Sequence, residues 1–331
     1  MRIVRRQFLH LAVGAVALPA VSRIARAQTY PTRPVTIIVP FPAGGTLDAV
    51  ARIVADDMRA ALGQPVVIEN VGGANGTIGV GRVARAAPDG YTIGIGIRDT
   101  HVINGAIYKL PYDVRTDFEP VALLSRSRGS FILAKKTMAA NDLNGLIAWL
   151  KTNPDKASQG HPGVGSTPHL LGIHFQKVTG TRFQFVPYRG LTPAMQDLVA
   201  GQIDMMIIRG ESALSQVRAG NIKAYAVLDR SRLASAPDIP TADEAGLPGF
   251  YESPWWYGLF APKGTPRSVI ARLNTAVMDA LATSGVRQRL ADAENEVPPR
   301  EEQTPEALGV VQKADIDMWW PIIKEAGIKA D

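Results

Sequence analysis

Two glycine-bearing loops carry the most chemically suggestive pattern in the chain. The first is Pro40-Phe41-Pro42-Ala43-Gly44-Gly45-Thr46-Leu47-Asp48, set where a short apolar run ends and a helical run begins. Adjacent glycines let backbone N–H groups face outward with no Cβ in the way, and a helix start adds a partial positive charge. Such a loop can hold an anion without any side-chain charge. The same residues also describe a plain tight turn in which Asp48 satisfies helix N–H groups, and both readings stay open. The second loop is Gly163-Val164-Gly165-Ser166-Thr167-Pro168-His169. Ser166 or Thr167 either caps the following helix or offers a hydroxyl to a ligand oxygen, and Pro168 suits a first helical position. If the two loops faced each other across a cleft, they would suit a dicarboxylate or a small molecule with one carboxylate and one polar end.

Catalysis finds less support. The best nucleophile and base are Ser166 with His169, three apart at a helix start, or Asp48 beside the first loop, and no G-x-S-x-G elbow is present. Neither glycine loop is a full G-x-G-x-x-G or ends in G-K-[ST], which argues against a nucleotide. No cysteine occurs, so disulfides, thiolate metal sites and cysteine nucleophiles are excluded. His101, His161, His169 and His174 show no metal-ligand spacing, and His169 and His174, five apart, do not share a helix face. The expectation is a protein that is not an enzyme and uses no metal or cofactor. Tyr188 either closes over a ligand or packs under its own loop. Trp255 and Trp256 read as packing at the start of a hinge strand rather than as a stacking platform, and Trp319-Trp320 reads as core.

The elements that must position these loops alternate along the chain. Val35-Thr36-Ile37-Ile38-Val39-Pro40 predicts a buried strand, and residues 47–62 have helical spacing with Gly63 as a stop. Strands at 66–69 and 91–97 flank a helix at 78–87. A second cycle predicts strands at 131–134, 183–187, 204–208 and 224–228, with helices at 143–152, 168–179 and 193–200. A strand at 256–260 and a helix at 267–283 follow. This rhythm predicts a parallel sheet covered by helices, repeated in two similar α/β lobes. The expected limits are 28–128 plus 257–331 for one lobe and 129–256 for the other, with crossings near 125–131 and 256–260.

The first 27 residues stand apart. Arg2, Arg5 and Arg6 precede an apolar stretch of about 14 residues, broken by Gly14 and Pro19, and Ala25-Arg26-Ala27 completes a cleavable export signal. That stretch is shorter than the roughly 20 residues needed to span a membrane. Arg5-Arg6-Gln7-Phe8-Leu9, with Arg23 and Arg26 near the cut, favours twin-arginine export over the general secretory route. Cleavage removes five arginines and no acid, so the net charge falls from +6 to +1. The basic balance therefore reports targeting, and no nucleic-acid partner is expected.

The motifs together resemble a known family, the periplasmic solute-binding proteins of the tripartite tricarboxylate transporter group, called Bug or TctC. The likeness runs through Val39 to Gly45 with Asp48 and Ala51-Arg52, then Asn75-Gly76-Thr77-Ile78-Gly79 and Ala87-Pro88-Asp89-Gly90-Tyr91-Thr92. It continues in Leu110-Pro111-Tyr112-Asp113, Asp117-Phe118, Gly163 to Leu170, Val186-Pro187-Tyr188-Arg189-Gly190, Asp197-Leu198 and Gly201-Gln202-Ile203-Asp204. Pro240-Thr241, Glu244 to Gly249 and Ala261-Pro262-Lys263-Gly264-Thr265-Pro266 complete it. Each piece alone is weak, whereas this order and spacing are specific.

The resemblance implies a two-lobed periplasmic-binding-protein fold, a Venus flytrap of type II character with a mixed sheet flanked by helices in each lobe. It implies a monomeric receptor that closes on a small carboxylated solute and delivers it to membrane permease subunits. A receptor signalling to a sensor kinase would close in the same way. Carried over by position, the ligand contacts are Phe41, Ala43, Gly44, Gly45 and Thr46 on one side and Gly163, Gly165, Ser166, Thr167 and His169 on the other, with Thr100 and His101 near the cleft. In the family, main-chain groups and ordered waters hold the carboxylates. Three departures bear on the ligand. His161-Pro162 replaces small hydroxyl residues and would add a pH-sensitive donor. Arg98-Asp99 replaces a small polar pair. Arg209, after Ile208, stands where an acid is common, so the expected ligand lacks an amino group: a di- or tricarboxylate, or an aromatic acid. Arg209 either forks onto a ligand carboxylate or pairs with Glu211.

Overall fold

The computed structural model describes residues 30–329 apart from 128, 189, 253 and 294, and leaves the side chains of Glu211 and Ser212 undescribed. The expected export segment lies outside the described residues.

Strand β1 (Val35–Val39) is followed by α1 (Thr46–Leu62), β2 (Val66–Asn70), α2 (Thr77–Ala84) and β3 (Thr92–Ile97). A π-helical turn, Asp99–Ile103, leads through the short α3 (Asn104–Ile107) to β4 (Phe118–Ser127). The chain then crosses to β5 (Phe131–Lys135), α4 (Leu143–Thr152), β6 (Ser158–His161), α5 (Thr167–Thr179) and β7 (Gln184–Pro187). There follow α6 (Leu191–Ala200), β8 (Met205–Ile208), α7 (Glu211–Arg218) and β9 (Ile222–Val227). It returns to β10 (Trp255–Pro262), α8 (Arg267–Ala282), α9 (Ser284–Asp292) and α10 (Pro305–Glu325).

Two five-stranded sheets result, ordered β2-β1-β3-β10-β4 and β7-β6-β8-β5-β9. The alternation of strand and helix makes β1, β2 and β3 parallel, and likewise β6, β7 and β8. Neither sheet is wholly parallel. β10 runs against β3 and β4, and β5 runs against β8 and β9, because each enters its sheet from the crossing end. The whole of β10 belongs to the first sheet. Trp255 and Trp256, assigned by sequence to the second lobe, pair there with Ser127 and Arg126.

Strands covered on both faces read as continuous apolar runs, as β1 does with Val35, Ile37, Ile38 and Val39 all buried. Helix α1 buries Leu47, Val50, Ala51, Val54, Ala55, Met58 and Leu62, a stripe at three- and four-residue spacing. It packs with α8 and α9 on one face of the first sheet. Trp319 and Leu308 of α10 belong to a core on the other face that continues into α4 and α5 of the second lobe.

The topology sets where the loops point. One crossing leaves the first sheet at the C-terminal end of β4, and the other re-enters it at the N-terminal end of β10. The C-terminal ends of β1 and β3 therefore face the second lobe. By the same logic, those of β6 and β8 face the first.

Candidate functional site

The loop after β1 is tied from behind. Asp48 is 4% exposed. Its Oδ2 accepts from the Gly44 N–H at 2.9 Å and from Arg52 Nε at 3.0 Å, and its Oδ1 accepts from Asn70 Nδ2 at 2.9 Å. The Arg52 hydrogen bond, helped by those of Gly44 and Asn70, holds this carboxyl at about 2 against the effect of burial. Asn70 also donates to the Phe41 carbonyl at 3.1 Å. Gly44 sits at φ 87°, a conformation that favours glycine. Asp48 thus engages the turn rather than the helix, and α1 opens at Gly45 with no side-chain cap. Ala43, Gly44, Gly45 and Thr46 are exposed, and Phe41 is half-buried.

The loop after β6 is closed by two histidines. The Gly165 N–H donates to His169 Nδ1 at 3.1 Å, and His161 Nδ1 lies 2.8 Å from the Gly163 carbonyl. The two imidazoles stack at 4.5 Å. Burial, with His161 beside it, presses His169 down to about 4, and burial lowers His161 as well. His161 thus braces its own loop through Nδ1, and burial favours its neutral form. Ser166 donates its hydroxyl to the Gly163 carbonyl at 2.7 Å, so it does not cap α5. Thr167 reaches across the cleft, its Oγ1 donating to Asp99 Oδ1 at 3.1 Å. Gly165, at φ 77°, faces Ile107 of the first lobe so closely that an added Cβ would stand 2.6 Å from Ile107 Cδ1.

The remaining expected residues divide. The polar atoms of Thr100 and His101 are engaged behind the loops, while the Thr100 methyl and the Phe41 ring both flank Gly76. The Thr100 hydroxyl bonds the backbone of Ile97 and His101 Nδ1. The His101 ring, 2% exposed, stacks on Phe260 at 4.0 Å, and burial pushes it down to about 3. Tyr188 donates its hydroxyl to Asp197 Oδ2 at 2.6 Å. Arg209 is half-buried, with its guanidinium 4.1 Å above the Trp255 ring and hydrogen-bonded to Tyr257. Its other expected partner, the Glu211 side chain, lies outside the described residues.

Sequence reasoning treated Arg98 and Asp99 only as departures from a pattern. Arg98 is fully buried, with Nε donating to Asp315 at 2.9 Å and its other nitrogens reaching Glu252 and the Pro254 carbonyl. Glu252 also accepts from Ser130, and Asp315 from Trp256 Nε1 at 2.7 Å. This network joins β3, both crossings and α10. Its partners lie 154 and 217 residues away in sequence, beyond any local signal. The clue available was a charged residue ending an apolar strand. Asp99 is pushed up to about 6, chiefly by burial, while Thr167, Arg98 and Arg209 oppose the shift.

The helix starts show what the cleft can do. α1, α5, α6 and α7 follow β1, β6, β7 and β8, and none has a side-chain cap. By contrast α4, α9 and α10 open on Asp142, Thr283 and Thr304, each accepting from a first-turn N–H. The partial positive charge of the cleft helices is left toward the gap, where an anion would be stabilised. Ser166 and His169 are each engaged within the loop. Among the described residues, no group of three or more His, Asp or Glu could hold a metal ion, and no helix is long and apolar enough to cross a membrane. A cavity of about 880 Å³ opens near the crossings, lined by Arg126, Phe131, Gly210, Arg218, Arg232 and Glu296 among others. Its arginines are held by Glu302, the Ser235 carbonyl and Glu244, and neither glycine loop reaches it.

Known proteins share this arrangement. Residues 50–328 match the model of the tripartite tricarboxylate transporter family receptor. Protein BugT of Bordetella pertussis is 34% identical over 323 residues, covering 97% of this chain and 96% of its own. The solved structure of MatC from Rhodopseudomonas palustris with bound malate is 40% identical at a TM-score of 0.75, covering 89% of this chain and all of that one. An R. palustris protein with adipate is 33% identical at a TM-score of 0.75, covering 91% of this chain and 99% of its own. The two-lobed fold with its facing loops is thus that of periplasmic binding proteins, and the chain belongs to the tripartite tricarboxylate transporter family of receptors.

Proposed function

We propose that this receptor works outside the cytoplasm, after cleavage of residues 1–27, and binds a small carboxylate between its lobes. It delivers that solute to the membrane permease subunits of a tripartite tricarboxylate-type transporter. The observation that carries the reading is the pair of uncapped helix starts, α1 and α5, offered toward one cleft from opposite lobes. The lobe holding β5 to β9 closes on the lobe holding β1 to β4 and β10, and a ligand that bridges both loops only in the closed state shifts the population toward it. Malate and adipate in two relatives support a dicarboxylate. Arg209 beside the cleft favours a second carboxylate over an ammonium group.

The test is a thermal-shift screen of the purified mature protein against mono-, di- and tricarboxylates, amino acids and aromatic acids. A solute at 100 times its dissociation constant stabilises the fold by about 2.7 kcal/mol. A dicarboxylate is expected to give the largest shift. Chemical turnover of a carboxylate with no shift in melting temperature would replace the receptor reading with an enzymatic one.

A further inference from the structure

The chain itself supplies a carboxylate to one of its two anion loops. Asp99 opens the π-helical turn at the end of β3, in the first lobe, and Thr167 is the first residue of α5, in the second. Their side chains meet across the gap at 3.1 Å. The thirteen-residue α5 has no side-chain cap of its own, so Asp99 stands at the end of the helix that attracts negative charge. The charged groups around Asp99 are Arg98, Arg209 and Glu252. Arg98 is committed to Glu252 and Asp315, and Arg209 is engaged by Tyr257 and the Trp255 ring. The lobes also touch beside this contact, where Gly165 meets Ile107.

We propose that Asp99 is an internal ligand: a first-lobe carboxylate that takes the Thr167 hydroxyl beside the second-lobe loop, holds the lobes together, and must be displaced from Thr167 by the incoming anion. The proposal deepens the receptor reading, since it makes Asp99 the competitor against which solutes are selected. A solute gains the loop only if its anionic end outbids an aspartate already in place. The contact is measurable by itself, apart from any solute binding.

The chain has no cysteine. Val67→Cys on β2 and Val199→Cys on α6, both at exposed positions in different lobes, therefore accept a unique pair of spin labels. Distance distributions are then recorded on the mature protein with no solute. Asp99→Ala and Thr167→Val are each expected to lower the closed-to-open ratio about fivefold, the net worth of one hydrogen bond. The double variant is expected to go no further than either single one, and Thr167→Ser, which keeps the hydroxyl, to match the parent. Unchanged distributions in both single variants, or additive effects in the double, would overturn the proposal. If a carboxylate binds while the distances ignore Asp99, the internal ligand falls and the receptor reading stands. If the distances respond but no carboxylate binds, the reverse holds.

Discussion

Arg98 Nε lies 2.9 Å from Asp315 Oδ2, joining the end of β3 to the middle of α10 with both side chains almost fully buried. Burial works against the charged guanidinium, and the carboxylates of Asp315 and Glu252 outweigh it. Removing one partner of such a group strands the others as uncompensated charges. Arg98→Met is expected to destabilise the protein by about 3–5 kcal/mol, read by urea denaturation. A loss below about 1 kcal/mol would place the two acids in contact with water.

Gly165 is required twice, by its φ of 77° and by the approach of Ile107. Gly165→Ala puts a Cβ into the surface on which the lobes meet. Solute affinity is expected to fall at least about tenfold, or 1.4 kcal/mol, by calorimetry. The strain at φ 77° is present with and without solute and by itself lowers the stability by about 1–2 kcal/mol. A lowered melting temperature with unchanged solute affinity would assign Gly165 to folding rather than closure.

Arg209 lies half-buried over Trp255. Arg209→Met keeps an apolar contact with the ring and removes the charge. Dicarboxylate binding is expected to weaken about tenfold or more, in the range of a charge-assisted hydrogen bond, with monocarboxylate binding little changed. Equal effects on the two solutes would make Arg209 a structural residue.

Acid should weaken the fold through its buried histidines. His101 is held neutral down to about pH 3, whereas an unfolded histidine titrates near 6.5. As pH falls below 6.5 the unfolded chain therefore takes up a proton that the folded chain refuses, and stability declines toward pH 3. By pH 4.5 the His101 contribution is on the order of 2 kcal/mol. His169, pressed to about 4, acts in the same direction, while Asp99, raised to about 6, acts in the opposite one because protonation relieves its burial. His101→Phe, which preserves the stack on Phe260, is expected to flatten the acid limb of a stability–pH curve and to cost less than about 1.5 kcal/mol at neutral pH. An unchanged acid limb would assign that limb to other groups.

How much of this was legible in the sequence depended on range. Helix α4 spans Leu143–Thr152, the stretch its periodicity predicts, and α1 and α5 begin one residue before their predicted starts. Local spacing decides such elements. Only the end of β4 falls in the crossing expected near 125–131, because Phe118–Ser127 mixes Glu119, Pro120 and Arg126 into a run that becomes a strand by pairing with β10, far along the chain. β6, with its sequence Ser-Gln-Gly-His, has no apolar run to announce a strand, since its strand character comes from neighbours on both sides. The loops were found because glycines and helix starts are local signals. The inward turn of His101 and the pairing of Asp99 with Thr167 were not, because each depends on which side chain the fold brings opposite.

The position of β10 between β3 and β4 has a consequence for the order in which the molecule can be made. All five strands of the second sheet come from one uninterrupted stretch, β5 to β9, and the segment that packs on them ends with Phe250, so that lobe is complete before β10 begins. The first lobe is not. Until β10 arrives, β4 has no neighbour in its own sheet, and the surface of β3 that β10 will cover stays open. The N-terminal lobe is thus begun first and finished last. A growing chain therefore carries an incomplete first sheet until β10, Trp255–Pro262, has been made.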